Sequence, residues 1–496
     1  MLKTAKTNKL LLVLVFICGV IFLSAFFYRL KFESNGRYDT KNLNVTQLGF
    51  PVSSGDPEQY IQLGKNLFSN YSFSDHYNPP YIPNTFRTIG YPVFITIINW
   101  IFNSWSSVAI VQILLAAATA VLIFEMGRKI RSAWLGFGAA LLFVLDPAVI
   151  VYTSSLWPDM LLTFLVALSV YLIFFTESAK VPVFFGYGVL MGFATLVKPV
   201  GIYLPIAILG AILLRTDWSF LIRRNKIIFI TIGFVATVFP WLLRNKIVVD
   251  SWNISSISAY NLAVYNLLSF ASEIGDKPAF QSQIAEIEKK YKDDYVFDPA
   301  DLVYSPVLTD LKHSRELNAI SIPYIKSHFI SYAKFHLTRA FGYFFVKSSI
   351  IHALDYTPFA RHNLEKWNLI PAPDKLVDLF SVWKNSSMKE FIYQVKHNGI
   401  LFFEKLLRFL MSLLMLIPLW KYRKNPISIS LWILVLYFAV LSGPVANARF
   451  RLPAEPMMML LTVWGLILAI DFIKSGYVRK SGALDRENPI AQFQIK

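Results

Sequence analysis

"IGYPVFITIINWIF", residues 89–102, decides how this chain is threaded. It is almost wholly apolar, but its 14 residues fall short of the roughly 20 an α-helix needs to cross a bilayer. Around it lie longer apolar runs, at roughly 10–29, 107–126, 133–152, 157–175, 182–198, 199–214, 227–243, 399–420, 427–444 and 453–473. The 496 residues are 55% hydrophobic and only 16% charged, where a soluble chain carries about a quarter. This is the composition of a multi-pass helical membrane protein.

Charge settles the ambiguous stretch. If 89–102 does not span, the basic clusters "GRKIR" (127–131), "RTDWSFLIRRNK" (215–226) and "KYRK" (421–424) share the side of the N-terminus. Lys474, Arg479 and Lys480 join them. If it spans, the first two clusters change sides, against the excess of Lys and Arg in cytoplasmic loops. The chain therefore reads as all-α and polytopic, with about ten transmembrane helices, both termini cytoplasmic and 89–102 an interfacial or re-entrant helix. The net charge of +17 belongs to these clusters, so no nucleic-acid partner is expected.

Four parts follow from this threading. Residues 1–244 form an N-terminal transmembrane module with a first extracytoplasmic loop at 31–106. Residues 245–398 form an extracytoplasmic segment, 399–474 the C-terminal transmembrane helices, and 475–496 a cytoplasmic tail. Within 245–398, "SIPYIKSHFISYAKFHLTRAFGYFF" (321–345) mixes Lys, His and Arg with aromatics and reads as an amphipathic helix at the membrane surface. The N-terminus has a basic start, then an apolar stretch longer than a signal-peptide core, then Arg29; it is expected to stay as an uncleaved helix. The single cysteine, Cys18, allows no internal disulfide and no zinc or haem spacing.

The chemistry starts in "SSGDPEQYIQLGKNLF", residues 53–68. Asp56, Pro57 and Gln59 occupy the N-cap, N1 and N3 positions of a helix start. Tyr60, Leu63, Gly64, Leu67 and Phe68 follow at helical spacing. An N-cap carboxylate faces solvent, so capping and catalysis both stay open for Asp56. Asp159 in "LWPDMLL" likewise follows a proline and precedes an apolar helix, so helix-start electrostatics is its alternative. Arg87, Lys198, Arg244, Arg449 and Arg451 all fall on the face opposite the basic clusters. Ionisable groups near membrane depth are costly. Singly each can snorkel to headgroups; together they can collect a phosphate. Tyr77 lies in the polar-aromatic loop "HYNPP" (76–80), which suits either sugar contact or a plain loop. No P-loop, nucleophile elbow or HExxH occurs, so ATPase, serine hydrolase and zinc protease readings have no support. No cofactor motif is present, and a divalent cation is left open.

The order of these motifs carries a resemblance. An outer-loop Asp with Tyr four residues on precedes Arg-x-x-Gly-Tyr-Pro (87–92). Then come Pro-Asp (158–159), Lys-Pro (198–199), Pro-Trp-x-x-Arg-Asn (240–245) and Arg-x-Arg-x-Pro-x-x-Pro (449–456). The chain resembles the GT-C glycosyltransferases that use polyprenyl-phosphate sugars, in the branch of protein O-mannosyltransferases and the lipid A aminoarabinose transferase. It departs from them where Pro57 displaces Glu58 by one position, and where Ile89 stands in place of the usual proline.

The resemblance implies Asp56 as general base and Asp159 as second acid. It implies Arg87, Lys198 and Arg451 at the donor phosphate, where charge also places Arg449 and Arg244. Tyr60 follows the base; Tyr91 and Tyr77 join it as pocket candidates. The implied partners are a polyprenyl-phosphate-linked sugar donor, membrane lipids, and a glycan, lipid or protein acceptor, at the outer face of a bacterial inner membrane. A transporter or flippase of lipid-linked saccharides, or a polymerase or ligase of them, is the alternative. The threading itself is testable. A cysteine introduced by Lys290→Cys should react with an impermeant maleimide on intact cells; labelling only after permeabilisation would reject the ten-helix arrangement.

Overall fold

The computed structural model describes residues 2–33, 56–176, 180–214, 218–294, 304–354, 357–366 and 399–480, with a few positions between 370 and 392. Among them every regular element is helical. The rest of 31–106, of 245–398 and of the tail beyond 480 lies outside the described residues.

Each of the ten long apolar runs is helical, and 89–102 forms the separate short helix Gly90–Phe102. Five helices among the described residues are long and apolar enough to cross a bilayer: Thr7–Lys31, Ser106–Ile130, Phe220–Val249, Pro426–Val445 and Ala448–Ser475. The run 133–152 is not one helix. Ala133–Val144 and Pro147–Thr153 meet at a bend of 65°. The cause is local: Asp146 is extended and its carboxylate accepts from the Ala148 N–H at 2.8 Å, while Pro147 cannot continue the preceding ladder. Helices Asp159–Phe174, Val181–Val197 and Pro199–Leu213 are apolar but shorter.

Burial follows the membrane reading. In the first helix Leu14, Cys18, Phe22 and Phe26, four apart, form the inward stripe, whereas Leu12, Phe16, Val20 and Phe27 face outward. Exposed apolar faces on so many long helices suit lipid, not water. The last helix, Glu455–Lys480, packs against Gly399–Lys421, Ala133–Val144 and Pro426–Ser442 and is the most enclosed span.

The segment between the membrane helices has its own core. Phe270, Phe280, Leu308 and Leu317 pack there with Phe86 of the first polar segment. The stretch 321–345 is two helices, Ser314–Ser327 and Phe329–Val346, broken at His328. The second reaches the membrane helices, where His336 pairs with the Val440 carbonyl at 3.0 Å.

Helices Val181–Val197 and Phe220–Val249 approach unusually closely. A Cβ at Gly188 would collide with the Ile230 carbonyl, and one at Gly233 with the Phe185 carbonyl. Small residues at such contacts let membrane helices pack by dispersion alone. Gly188→Leu should therefore lower the melting temperature of the detergent-purified protein, at an overpacking cost of about 1–3 kcal/mol. An unchanged melting temperature would mean the pair is not tightly packed.

Candidate active site

Asp56 opens helix Asp56–Ser69, and that helix is held by a loop that folds back on it. Asn66 donates to the Ser74 and His76 carbonyls, each at 2.7 Å. Asp75 accepts from Gln59 at 2.6 Å and from Asn84 at 2.9 Å. The Asn84 side chain then accepts from the Phe86 and Arg87 N–H groups, a turn that sends Arg87 back toward Asp56. Residues 85–86 are pinned from the second polar segment: Ser256 N–H donates to the Thr85 carbonyl at 3.1 Å, and Ser255 to the Phe86 carbonyl at 2.5 Å.

The Asp56 carboxylate is buried, and its donors are side chains from distant segments. Arg87 and Tyr304 donate to Oδ1, the latter at 2.5 Å, and Arg449 donates to Oδ2 at 3.1 Å. The other Arg449 edge reaches Asp159 Oδ2 at 3.0 Å, and Lys198 reaches Asp159 Oδ1 at 2.6 Å. Arg449 thus bridges both acids, with its guanidinium 3.9 Å above the Trp157 ring centre.

Three breaks in helical structure create this meeting. Asp159 begins its helix after Pro158. Lys198 is extended between Val181–Val197 and the short helix at Pro199. Asn447 caps the four-residue helix Ala448–Arg451 by accepting from the Arg449 N–H at 2.9 Å.

Burial alone would raise the Asp56 carboxyl, but Arg87, then Arg449 and the Tyr304 hydroxyl outweigh it and hold it well below the usual carboxylate range. Burial, then the Asp56 charge, raises the Tyr304 phenol, which stays protonated and donating. Since the folded carboxyl lies below its unfolded value, its stabilising contribution is complete above about pH 4 and is lost only in stronger acid. Arg87, Lys198 and Arg449 face two carboxylates, so the cluster is one positive charge in excess.

Asp56, Arg87, Lys198 and Arg449 line a cavity of about 380 Å³, while Asp159 is buried behind Lys198 and Arg449. Leu162, Val200, Phe438 and Leu441 of the apolar helices form one wall, and Phe86, Tyr260, Asn261, Tyr265, Asn266 and Tyr304 another. Among the described residues no three His, Cys, Asp or Glu side chains gather into a metal-ligand set.

Residues 87–243 match the family of dolichyl-phosphate-mannose-protein mannosyltransferases. Over this segment the chain is similar to that family of membrane glycosyltransferases. The resemblance read from motif order is borne out there. A comparison with curated proteins finds no match.

Among solved structures, the chain is similar to the Archaeoglobus fulgidus oligosaccharyltransferase tethered to an acceptor peptide containing the NVT sequon. The identity is 14% and the TM-score 0.49, over 98% of this chain and 52% of that one. For the oligosaccharyltransferase AglB of the same organism, in complex with an inhibitory peptide and a dolichol-phosphate, the values are 12%, 0.45, 98% and 53%. For ArnT from Cupriavidus metallidurans in the apo state they are 14%, 0.34, 82% and 73%. The chain spans about half the length of the archaeal enzymes.

Of the expected residues, the structure brings together Asp56, Asp159, Arg87, Lys198, Arg449 and Tyr60. Tyr91 stands behind Tyr60, ring centres 5.0 Å apart, and donates to Gln112 at 3.1 Å. Tyr77 donates to Glu58 at 2.5 Å, away from the cavity. Arg244 donates to the Asn84 carbonyl at 3.0 Å and supports the loop from behind.

Arg451 also lies outside the cavity. It is fully buried and donates to Glu455 at 2.6 Å, Ser349 at 2.6 Å and the Phe344 and Lys347 carbonyls at 2.9 and 3.0 Å. Glu455 also receives Arg408, which pairs with Asp146 at the helix bend. Sequence reasoning missed Tyr304, Asn447 and Trp157. Asn447 carried a signal, an Asn directly ahead of a short charged turn.

Arg451→Ala should destabilise the protein by roughly 3–5 kcal/mol, because it strips a partner from a buried carboxylate. The check is thermal unfolding in detergent. A variant that unfolds like the parent and binds lipid phosphate more weakly would return Arg451 to the phosphate.

Proposed function

We propose that this protein transfers a sugar from a polyprenyl-phosphate donor to an acceptor hydroxyl, at the extracytoplasmic face of a bacterial inner membrane. The observation that carries the reading is Arg449, which lines a cavity walled partly by apolar helices and partly by polar segments and bridges Asp56 of that cavity to the buried Asp159. A lipid-borne anion needs an apolar flank and a cationic centre together.

In this reading the donor phosphate takes the excess positive charge at Lys198 and Arg449. Its arrival draws Arg449 from Asp56. The carboxylate is a feeble base while two guanidiniums hold it, and losing one raises its basicity toward what proton abstraction requires. Asp56 then takes the acceptor's proton. The acceptor oxygen bonds to the anomeric carbon, and the carbon–oxygen bond to the phosphate breaks. The lipid phosphate leaves with the bonding pair, stabilised by the cations. Lipid phosphate is a good leaving group, so no general acid is required. Attack opposite the departing phosphate inverts the anomeric centre. Asp159 holds Lys198 and Arg449 in position.

The decisive variant is Asp56→Asn, which keeps the size and one acceptor oxygen and removes the charge and the proton acceptor. Transfer should fall by about 10²–10⁴-fold. Binding of farnesyl phosphate should hold or tighten, since a competing anion is gone. Transfer at the parent rate by a correctly folded Asn variant would remove Asp56 from the mechanism.

A further inference from the structure

The dipeptide Tyr-Asn occurs twice in "SAYNLAVYNLLS", at 260–261 and 265–266. In an α-helix, positions five apart point about 140° away from each other. Here the backbone is π-helical over Asn261–Leu267. Its i→i+5 bonding sets residue i close above residue i+5, and such turns are frequent at functional sites. Both pairs therefore face one way, and all four residues line the cavity. The Tyr260 and Tyr265 rings meet edge to face, centres 5.6 Å apart. Tyr260 lies 6.0 Å from Tyr304, whose hydroxyl reaches Asp56. The Asn266 side-chain carbonyl oxygen is buried with no hydrogen-bond partner.

We infer that this π-turn is the subsite for the sugar ring of the donor. The inference rests on the transferase reading above and specifies where its glycosyl group sits. Three chemistries share the cavity. The apolar helices suit the isoprenoid chain and the cations suit the phosphate. The wall of the π-turn is neutral, made of carboxamides and aromatic rings. Carboxamides both donate to and accept from sugar hydroxyls, and aromatic faces pack on a ring's C–H surface. A buried carbonyl oxygen without a donor costs stability, and a sugar hydroxyl is the kind of donor that removes the cost. An α-helical backbone would keep one Tyr-Asn pair and turn the other out of the cavity.

The test compares farnesyl phosphate with farnesyl phosphate carrying mannose, glucose, galactose, N-acetylglucosamine or arabinose. Affinities are measured on the full-length protein in detergent. One of the sugars should add affinity over the bare phosphate. Asn261→Ala and Asn266→Ala should each erase roughly five- to tenfold of that increment, the worth of one hydrogen bond. Bare farnesyl phosphate should bind both variants as it binds the parent, which also shows that they fold.

Three results would overturn the subsite: no sugar adds affinity in the parent, the increment survives in both variants, or only the acceptor's KM rises. Failure of the parent to bind any lipid phosphate is a separate outcome. It would reject the transferase reading, and the subsite with it.

Discussion

The Arg449 guanidinium is the constraint on which the site depends. Two buried carboxylates on one guanidinium repel each other and resist desolvation, and neither would stay ionised alone. Arg449 satisfies one oxygen of each, with Arg87 and Lys198 on the remaining oxygens. The arrangement is stable because every buried charge has a partner, and reactive because the total does not cancel. The surplus cation and the apolar wall meet in the same cavity.

The fold delivers these groups through interruptions. Every charged residue of the cluster sits at a helix start, a helix break or a loop: Asp56, Arg87, Asp159, Lys198 and Arg449. Helix interiors supply the apolar walls. Proline adjoins four of the breaks, at 57, 158, 199 and 453, and each proline ends or begins a helix where the backbone must leave its ladder. In an apolar environment such breaks expose backbone groups, and they are tolerated where they line a polar cavity.

Those prolines explain how much was legible. Helical runs declared themselves by length and hydropathy, and the site residues near helix ends by charge in the wrong place. Arg449 and Arg451 could not be told apart that way. They are two residues apart on one short turn, which separates them by about 200°. One therefore faces the cavity and the other the packed interior, and only the direction of the turn decides which. The bend at Asp146 did carry a signal, Asp-Pro in the middle of the run 133–152, which the length of the run outweighed. Tyr304 was out of reach for another reason: its contact with Asp56 spans 248 residues, and no local spacing encodes it.

The same two arginines have a mechanical consequence. Arg451 is anchored on four partners inside the helix bundle, and its neighbour but one holds the acids together. The anchor fixes the turn that presents Arg449 to Asp56 and Asp159. Arg408 and Glu455 tie that turn to the bend at Asp146. Loosening this interior knot by substitution costs the bundle stability and the short turn above it its aim together.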